Sequence, residues 1–495
     1  MATLTFCVFI IILYGLGYSL TRFVKPLNFE VLVLRIGIGL GTFPVLGLLC
    51  NTARIPLDWR LFLLLSLLIP LYDLVDFWKR EQNKLTILRW PSRHTLWVLM
   101  IFAVSVMIYC QGPFVYPWLE NDDSWAHAAS IKYIAVEKNL NAPQGVFYYL
   151  NPYPPAYDFI FGILHQIHPS LYWTLKFFNG FIIALGFPFF YIFVKALTQN
   201  NTKAVLSAFF LASIPCYLSH FIWAHALIVT LFFPAFYLML KLGEEKRFFL
   251  PAGIVIAGIL ITQPTQSIKF AVLLSLLLIS MVIVRRRGWE RIVVAFLLGG
   301  LLSLFWWGPK LHAYYSGSLD LAIRNERSAS GNVVKVSTEV KEQLFSPTGG
   351  SATRSYTWQD YIIMKKGNMI NNPVGIGPVL SLLALLGIWY GVQHVRNGDR
   401  VYGLTLLSWM VFTFLGLNSQ TFNLPIGLFA FRFWMLLAIP VSILAAEAFY
   451  QSIIRADKIF VKGTLWAVVL VGVLISSGYF KFRVNTSLWP FGVFW

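Results

Sequence analysis

The sequence predicts an all-α polytopic membrane protein, a bundle of about fourteen spans with interfacial helices and one long extracytoplasmic loop. Three observations carry that expectation. Hydrophobic residues fill 58% of the 495 positions and charged residues only 12%, whereas a soluble chain is about one quarter charged. The mean hydropathy is +0.68. Apolar runs near the roughly 17–25 residues that a bilayer demands recur along the whole chain, and the 17% aromatic content suits lipid-facing helices with rings at the interface. These numbers exclude a soluble enzyme, a disordered chain and a repeat solenoid.

In chain order, spans are expected near 4–23, 30–50, 60–77, 95–116, 171–193, 203–219, 222–240, 249–264, 268–284, 291–307, 374–392, 401–417, 425–449 and 463–480. The first has neither a basic leader nor a small-residue cleavage site, so it reads as a retained helix and not as a signal peptide. The order suggests an N-terminal three-helix membrane module (1–94), a core (95–310) holding the first outer loop 117–170, an extracytoplasmic substrate loop (311–373) and C-terminal membrane helices (374–495). Within the first outer loop, 155–168 is apolar but too short to span, which points to an interfacial helix. The polar segment 308–373, with Gly349-Gly350 as a possible hinge, reads as a mobile surface loop or as one that closes over substrate.

The excess of 39 Lys and Arg over 21 Asp and Glu, a net charge of +18, raises the question of nucleic acid. The basic residues answer it by their placement: Arg22, Lys25, the stretch 79–94, Lys195, Lys203, Lys241, Lys246, Arg247, Arg285–Arg287, Arg396, Arg400, Arg455, Lys458 and Lys462 all fall in linkers on one common side. That is the positive-inside pattern, with the partner being membrane lipid and not nucleic acid. It places both termini, loop 117–170 and loop 308–373 outside the cytoplasm, and a prokaryotic inner membrane suits such a chain. Cys7, Cys50, Cys110 and Cys216 have no metal-ligand spacing.

Acidic residues are scarce, yet Glu120, Asp122 and Asp123 crowd together where an apolar segment ends. Such acids can simply cap the next helix. If Asp123 begins a helix, however, His127 follows one turn later on the same face. The two can then share a divalent cation, Mg²⁺ or Mn²⁺, or orient an acceptor hydroxyl. His220 and His225 bracket a turn expected at the same face; His225 is a candidate third metal ligand, and both are candidate substrate contacts. Gln263 and Lys269 flank the next such turn and can line a sugar site or complete a broken helix junction. Arg432 lies in an apolar span, where an unpaired guanidinium is costly, so it either meets a lipid phosphate or pairs with an internal acid such as Glu447.

The run Asp123-Ser124-Trp125-Ala126-His127-Ala128-Ala129-Ser130-Ile131-Lys132-Tyr133 resembles the motif of the catalytic subunit of oligosaccharyltransferase in its Asp, its Trp and its Lys-Tyr pair. The run Tyr149-Leu150-Asn151-Pro152-Tyr153-Pro154-Pro155-Ala156-Tyr157 is similar to the proline-pair segment of protein O-mannosyltransferase-like and aminoarabinose transferase-like enzymes. Residues 110–310 thus resemble the GT-C glycosyltransferases in order and topology. The resemblance implies a GT-C helix bundle and a polyprenyl-phosphate-linked sugar as donor. It further implies that Asp123 is the acceptor-activating carboxylate with Asp122 as helper, and that Arg432 is a donor-phosphate ligand. Arg324 and Arg327 of the long loop are further candidates for the phosphate, and Tyr153 for the substrate. Three added spans precede the matching region, and the Arg that usually follows the motif is Ala129, which argues against protein N-glycosylation.

The expected activity is inverting transfer of a sugar to an acceptor hydroxyl of a glycan, lipid or protein on the extracytoplasmic face. The alternatives are a lipid-linked glycan polymerase or ligase, and a transporter, for which no inverted repeat is evident.

Overall fold

The computed structural model describes residues 1–25, 27–79, 92–143, 146–147, 149–285, 288–315, 355–364 and 373–487. Within them the helices are α1 (Ala2–Thr21), α2 (Phe29–Thr52), α3 (Trp59–Lys79), α4 (Arg93–Val115), α5 (Asp122–Glu137), α6 (Ala156–His165), α7 (Leu171–Thr198), α8 (Asn201–Ser213), α9 (His225–Glu244), α10 (Phe249–Leu260), α11 (Pro264–Arg285) and α12 (Trp289–Tyr315). They continue as α13 (Trp358–Ile362), α14 (Pro378–Asn397), α15 (Arg400–Leu417), α16 (Trp434–Arg455), α17 (Ile459–Val473) and α18 (Tyr479–Thr486). Arg324 and Arg327, with Gly349-Gly350 and most of the 311–373 loop, lie outside the described residues.

Among the described residues, eleven helices are long and apolar enough to cross a membrane. The expectation of fourteen spans differs from this at α3, α8 and α10. Helix α3 runs unbroken over 21 residues and carries Asp73 and Asp76, while α8 has 13 residues and α10 has 12, the last two reaching only about 20 Å at about 1.5 Å per residue. The chain compensates with non-helical backbone after α8 and α10, and both stretches are buried in protein, as a low-dielectric surrounding requires.

The long helix α7 is central, packed on α2, α4, α6, α8 and α9. Around it α1 and α2 cross so closely that a Cβ on Gly17 would lie 1.8 Å from the Arg35 carbonyl oxygen, and one on Gly39 would lie 1.8 Å from that of Leu13. Only glycine admits this approach. The N-terminal helices join the core through α2, which contacts α6, α7, α9, α10 and α12. The proline-led helix α6 is not the surface-lying helix expected at 155–168. Every residue from Ala156 to Leu164 is buried, wedged among α2, α5 and α7, because this nine-residue stretch is apolar on all sides but for Asp158.

One end of the bundle gathers the loops that matter for function. Leu57 N–H donates to Lys138 O (2.8 Å), Ala156 N–H to Ile261 O (3.1 Å) and Cys216 N–H to Gly375 O (3.2 Å). Asn418 Nδ2 donates to the Tyr361 hydroxyl (2.6 Å). At the opposite end Glu447 is buried and meets Lys203 Nζ (2.6 Å), His394 Nε2 (3.1 Å) and the Tyr402 hydroxyl (3.0 Å). Glu447 is therefore spent far from Arg432, which removes it as the partner acid raised for that arginine.

Candidate active site

Helix α5 starts where the sequence offers a cap. The Asn121 side chain accepts from Ser124 N–H, and Asp122 and Asp123 occupy the first turn, where the helix dipole favours negative charge. The buried residues Ser124, His127, Ala128, Ile131 and Ile134 recur at helical spacing and seat α5 on α6, with Gly162 closing against Ile134. Asp122 is thereby left exposed and Asp123 half-buried.

His127 turns inward. Its Nδ1 lies 2.6 Å from Asp158 Oδ1, both side chains almost fully buried. Burial pushes the Asp158 carboxyl above the ordinary range, and the neighbouring His127 opposes that shift. Asp158 escaped sequence reading, although one acid in an apolar ten-residue helix was a usable signal. Tyr149, also missed, stacks on His127 with ring centroids 4.2 Å apart and donates its hydroxyl to Asp123 Oδ1. Tyr153 packs edge-on to Tyr149 at 4.9 Å and lies close to Gln263.

Gln263 caps α11. Its Oε1 accepts from Gln266 N–H (2.6 Å) and from the Thr265 hydroxyl (3.0 Å), with Pro264 at the first helical position, where no N–H is needed. That cap points Gln266 and Lys269 into the bundle, both completely buried. Lys269 Nζ sits 4.1 Å from the Phe433 ring centroid. Arg432 lies within the candidate span Ala430–Arg455, at its very start, in the 3-10 turn Ala430–Phe433 that leads into α16. Leu428 and Phe429 take positive φ (46° and 57°) just before that turn, so the helix begins nine residues later than the apolar run. Arg432 stacks near Trp223 (5.9 Å), and Trp223 stacks on His225 (3.9 Å). Electrostatically Arg432 feels Asp123, Tyr149 and Tyr153, while His225 feels Arg432, Lys269 and His127. Asp123, His127, Tyr153, His225, Gln263, Lys269 and Arg432 therefore converge on one region.

The buried polar atoms there are mostly donors in want of an acceptor. Among the described residues, Trp223 Nε1, Lys269 Nζ and Arg432 Nε have no hydrogen-bond partner, nor do His225 Nε2 and the Gln266 amide. Buried polar groups are normally satisfied, and a cluster rich in cationic donors is completed by an anion.

Trp223 and His225 are delivered by the buried non-helical backbone 214–224, whose hydrogen bonds can be traced one by one. Lys481 Nζ donates to the carbonyls of Pro215 (3.3 Å), Tyr217 (3.0 Å) and Leu218. Asn485 Oδ1 accepts from His220 N–H (2.8 Å), and Asn179 Nδ2 donates to His220 O and Phe221 O, each at 3.0 Å. Glu120 Oε1 accepts from Ile222 N–H (2.8 Å). His220 belongs to this support, near Tyr116 and Gly112, and burial pushes its imidazole down to about 3. The structure thus separates His220 from the residues around Asp123.

The expected metal set needs correction. Among the described residues no group of three His, Cys, Asp or Glu side chains is placed to hold a metal ion, so Asp123, His127 and His225 do not form a ligand triad. His127 Nδ1 is taken by Asp158, and His225 stands in the field of two cations. The residues present do not fit a three-donor Mg²⁺ or Mn²⁺ site.

No family model and no curated protein matches the sequence. Among solved structures, the chain is similar to the oligosaccharyltransferase of the archaeon Archaeoglobus fulgidus. The form without ligand matches at a TM-score of 0.54 and 13% identity, over 80% of this chain and 56% of that one. The complex with an inhibitory peptide and a dolichol-phosphate matches at 0.55 and 13%, over 79% and 56%. A complex with Zn and sulfate matches at 0.51 and 15%, over 78% and 53%. The chain spans just over half the length of these enzymes. With its helical architecture and these matches, the chain has the fold of the GT-C membrane glycosyltransferases.

Proposed function

We propose that this protein is an inverting membrane glycosyltransferase that moves a sugar from a polyprenyl phosphate to an acceptor hydroxyl on the non-cytoplasmic face. The observation that carries the reading is the buried, partner-seeking donor cluster of Trp223, Lys269 and Arg432 within electrostatic reach of Asp123. The cluster suits a phosphate ester, and Asp123 beside it suits a base. One of the similar structures holds a dolichol-phosphate, in keeping with a lipid-phosphate ligand.

In this reading the acceptor hydroxyl donates to Asp123 and its oxygen attacks the anomeric carbon as the carbon–oxygen bond to phosphate breaks. The proton passes to Asp123 and the bonding pair leaves with the phosphate. Arg432 and Lys269 meet the charge that grows on the departing oxygen, from positions fixed before the reaction begins. The His127–Asp158 pair and Gln263 hold the walls. The carrier arrives by diffusion in the membrane, so no nucleotide site is required. Acceptors of the glycan, lipid or protein class remain open to this chemistry.

Binding of farnesyl phosphate to the purified full-length protein tests the reading. Arg432→Ala should weaken it roughly ten- to hundredfold, the range of a charged hydrogen bond worth about 1.5–3 kcal/mol. Arg432→Lys should recover part of the affinity, having the charge without the planar fork. Equal affinity in wild type and both folded variants would remove Arg432 as a phosphate ligand.

A further inference from the structure

Tyr149 stands in an unusual position for a residue beside a proton-accepting carboxylate. Its hydroxyl donates to Asp123 Oδ1, the same type of contact that an acceptor hydroxyl must make before transfer. Its ring contacts those of His127 (4.2 Å) and Tyr153 (4.9 Å), and His127 is fixed in turn by Asp158. The phenol also lies within the field of Arg432. A tyrosine is held by two torsions, and rotation of the ring frees the carboxylate without unfolding anything around it.

We propose that the Tyr149 hydroxyl marks the acceptor subsite: it is an internal stand-in for the acceptor's hydroxyl, and acceptor binding displaces it from Asp123. The inference rests on Asp123 being the base. The contact being imitated is that of a hydrogen-bond donor on the carboxylate, and it makes Tyr149 a competitor of the acceptor.

The test uses the full-length protein in detergent with Tyr149→Phe, which keeps the ring and its stacking on His127 and removes only the hydroxyl. Two readouts are taken. The first is the rate at which a water-soluble carbodiimide modifies Asp123, followed by mass spectrometry. The second is hydrolysis of farnesyl-phosphate-linked glucose and mannose, in which water takes the acceptor's place. Tyr149→Phe should speed modification roughly five-fold, the weight of one hydrogen bond, and should raise any hydrolysis. An unchanged modification rate would show that the phenol does not occupy Asp123 and would overturn the proposal. Faster modification with slower hydrolysis would overturn it too, because the hydroxyl would then be positioning Asp123 and not replacing an acceptor. Asp123→Asn run alongside separates the two levels: hydrolysis equal to wild type in that variant would sink Asp123 as the base, while the carbodiimide result still reads Tyr149.

Discussion

Two adjacent carboxylates at the head of α5 have been given different surroundings, and that difference is what a substitution can read. Asp122 is exposed and accepts from Asp123 N–H at 3.0 Å, whereas Asp123 is half-buried, bonded to Tyr149 and in the field of Arg432. Asp123→Asn should reduce transfer by two orders of magnitude or more, in the range of roughly 10²–10⁴-fold expected for a general base. Asp122→Asn should cost far less. Comparable single-turnover rates for Asp123→Asn and wild type would contradict the assignment. Glu120, three residues earlier, makes a separate prediction in pH. Burial raises its carboxyl from 4.5 to about 8, opposed by its hydrogen bond from Ile222 and by Lys176. The folded protein therefore holds a proton that the unfolded chain releases above about pH 4.5, and the stability this proton confers is lost as pH rises toward 8. Thermal unfolding between pH 5.5 and 8.5 should show a falling Tm in wild type and a flatter profile in Glu120→Gln. The same slope in both would exclude Glu120 as the titrating group.

At the scale of elements, the backbone 214–224 has no secondary structure to satisfy it, so helices α4, α7 and α18 do so with side chains. Where α4 meets α18, a Cβ on Gly112 would sit 1.9 Å from Asn485 O and 2.6 Å from His220 Nδ1. Gly112→Ala should push the two helices apart, cost about 1–3 kcal/mol as overpacking does, and loosen the segment that carries Trp223 and His225. Gly308→Ala is the control, since a Cβ there meets nothing within 4 Å; in a helix it should be neutral or stabilising by about 0.5–1 kcal/mol. Thermal unfolding with farnesyl phosphate binding on both variants checks the pair, and an unaffected Gly112→Ala protein would show that the crossing is not tight. This support was illegible in the sequence. Lys481 and Asn485 fall there just beyond the last expected span, 463–480, and nothing local announces that a side chain will serve a backbone more than 260 positions away.

For the whole molecule, the contacts that gather loops 53–58, 117–155, 214–224, 261–263 and 418–433 leave Lys195, Lys203, Lys241, Arg396, Arg400 and Arg455 at the opposite end, where Lys195 meets Glu30 and Arg455 meets the Tyr390 hydroxyl. That distribution supports a cytoplasmic basic end and a site facing away from the cytoplasm. In a cysteine-free background, a membrane-impermeant maleimide should label Val146→Cys on intact cells and Gln199→Cys only after permeabilisation. Labelling of both from one side would overturn the orientation. The sequence alone determined the helical membrane class and the order of the helices, and it singled out Asp123, His127, Lys269 and Arg432 as candidates, because hydropathy and a misplaced charge are local properties. Tertiary structure decided the rest. It joined His127 to Asp158 across 31 positions and laid Tyr149 on Asp123. It sent His220 into the support and Glu447 to the far end, and it left a cluster of buried donors without acceptors. Each of these depends on which faces of distant helices meet, and that is settled by close packing over the whole bundle, which no window of sequence contains.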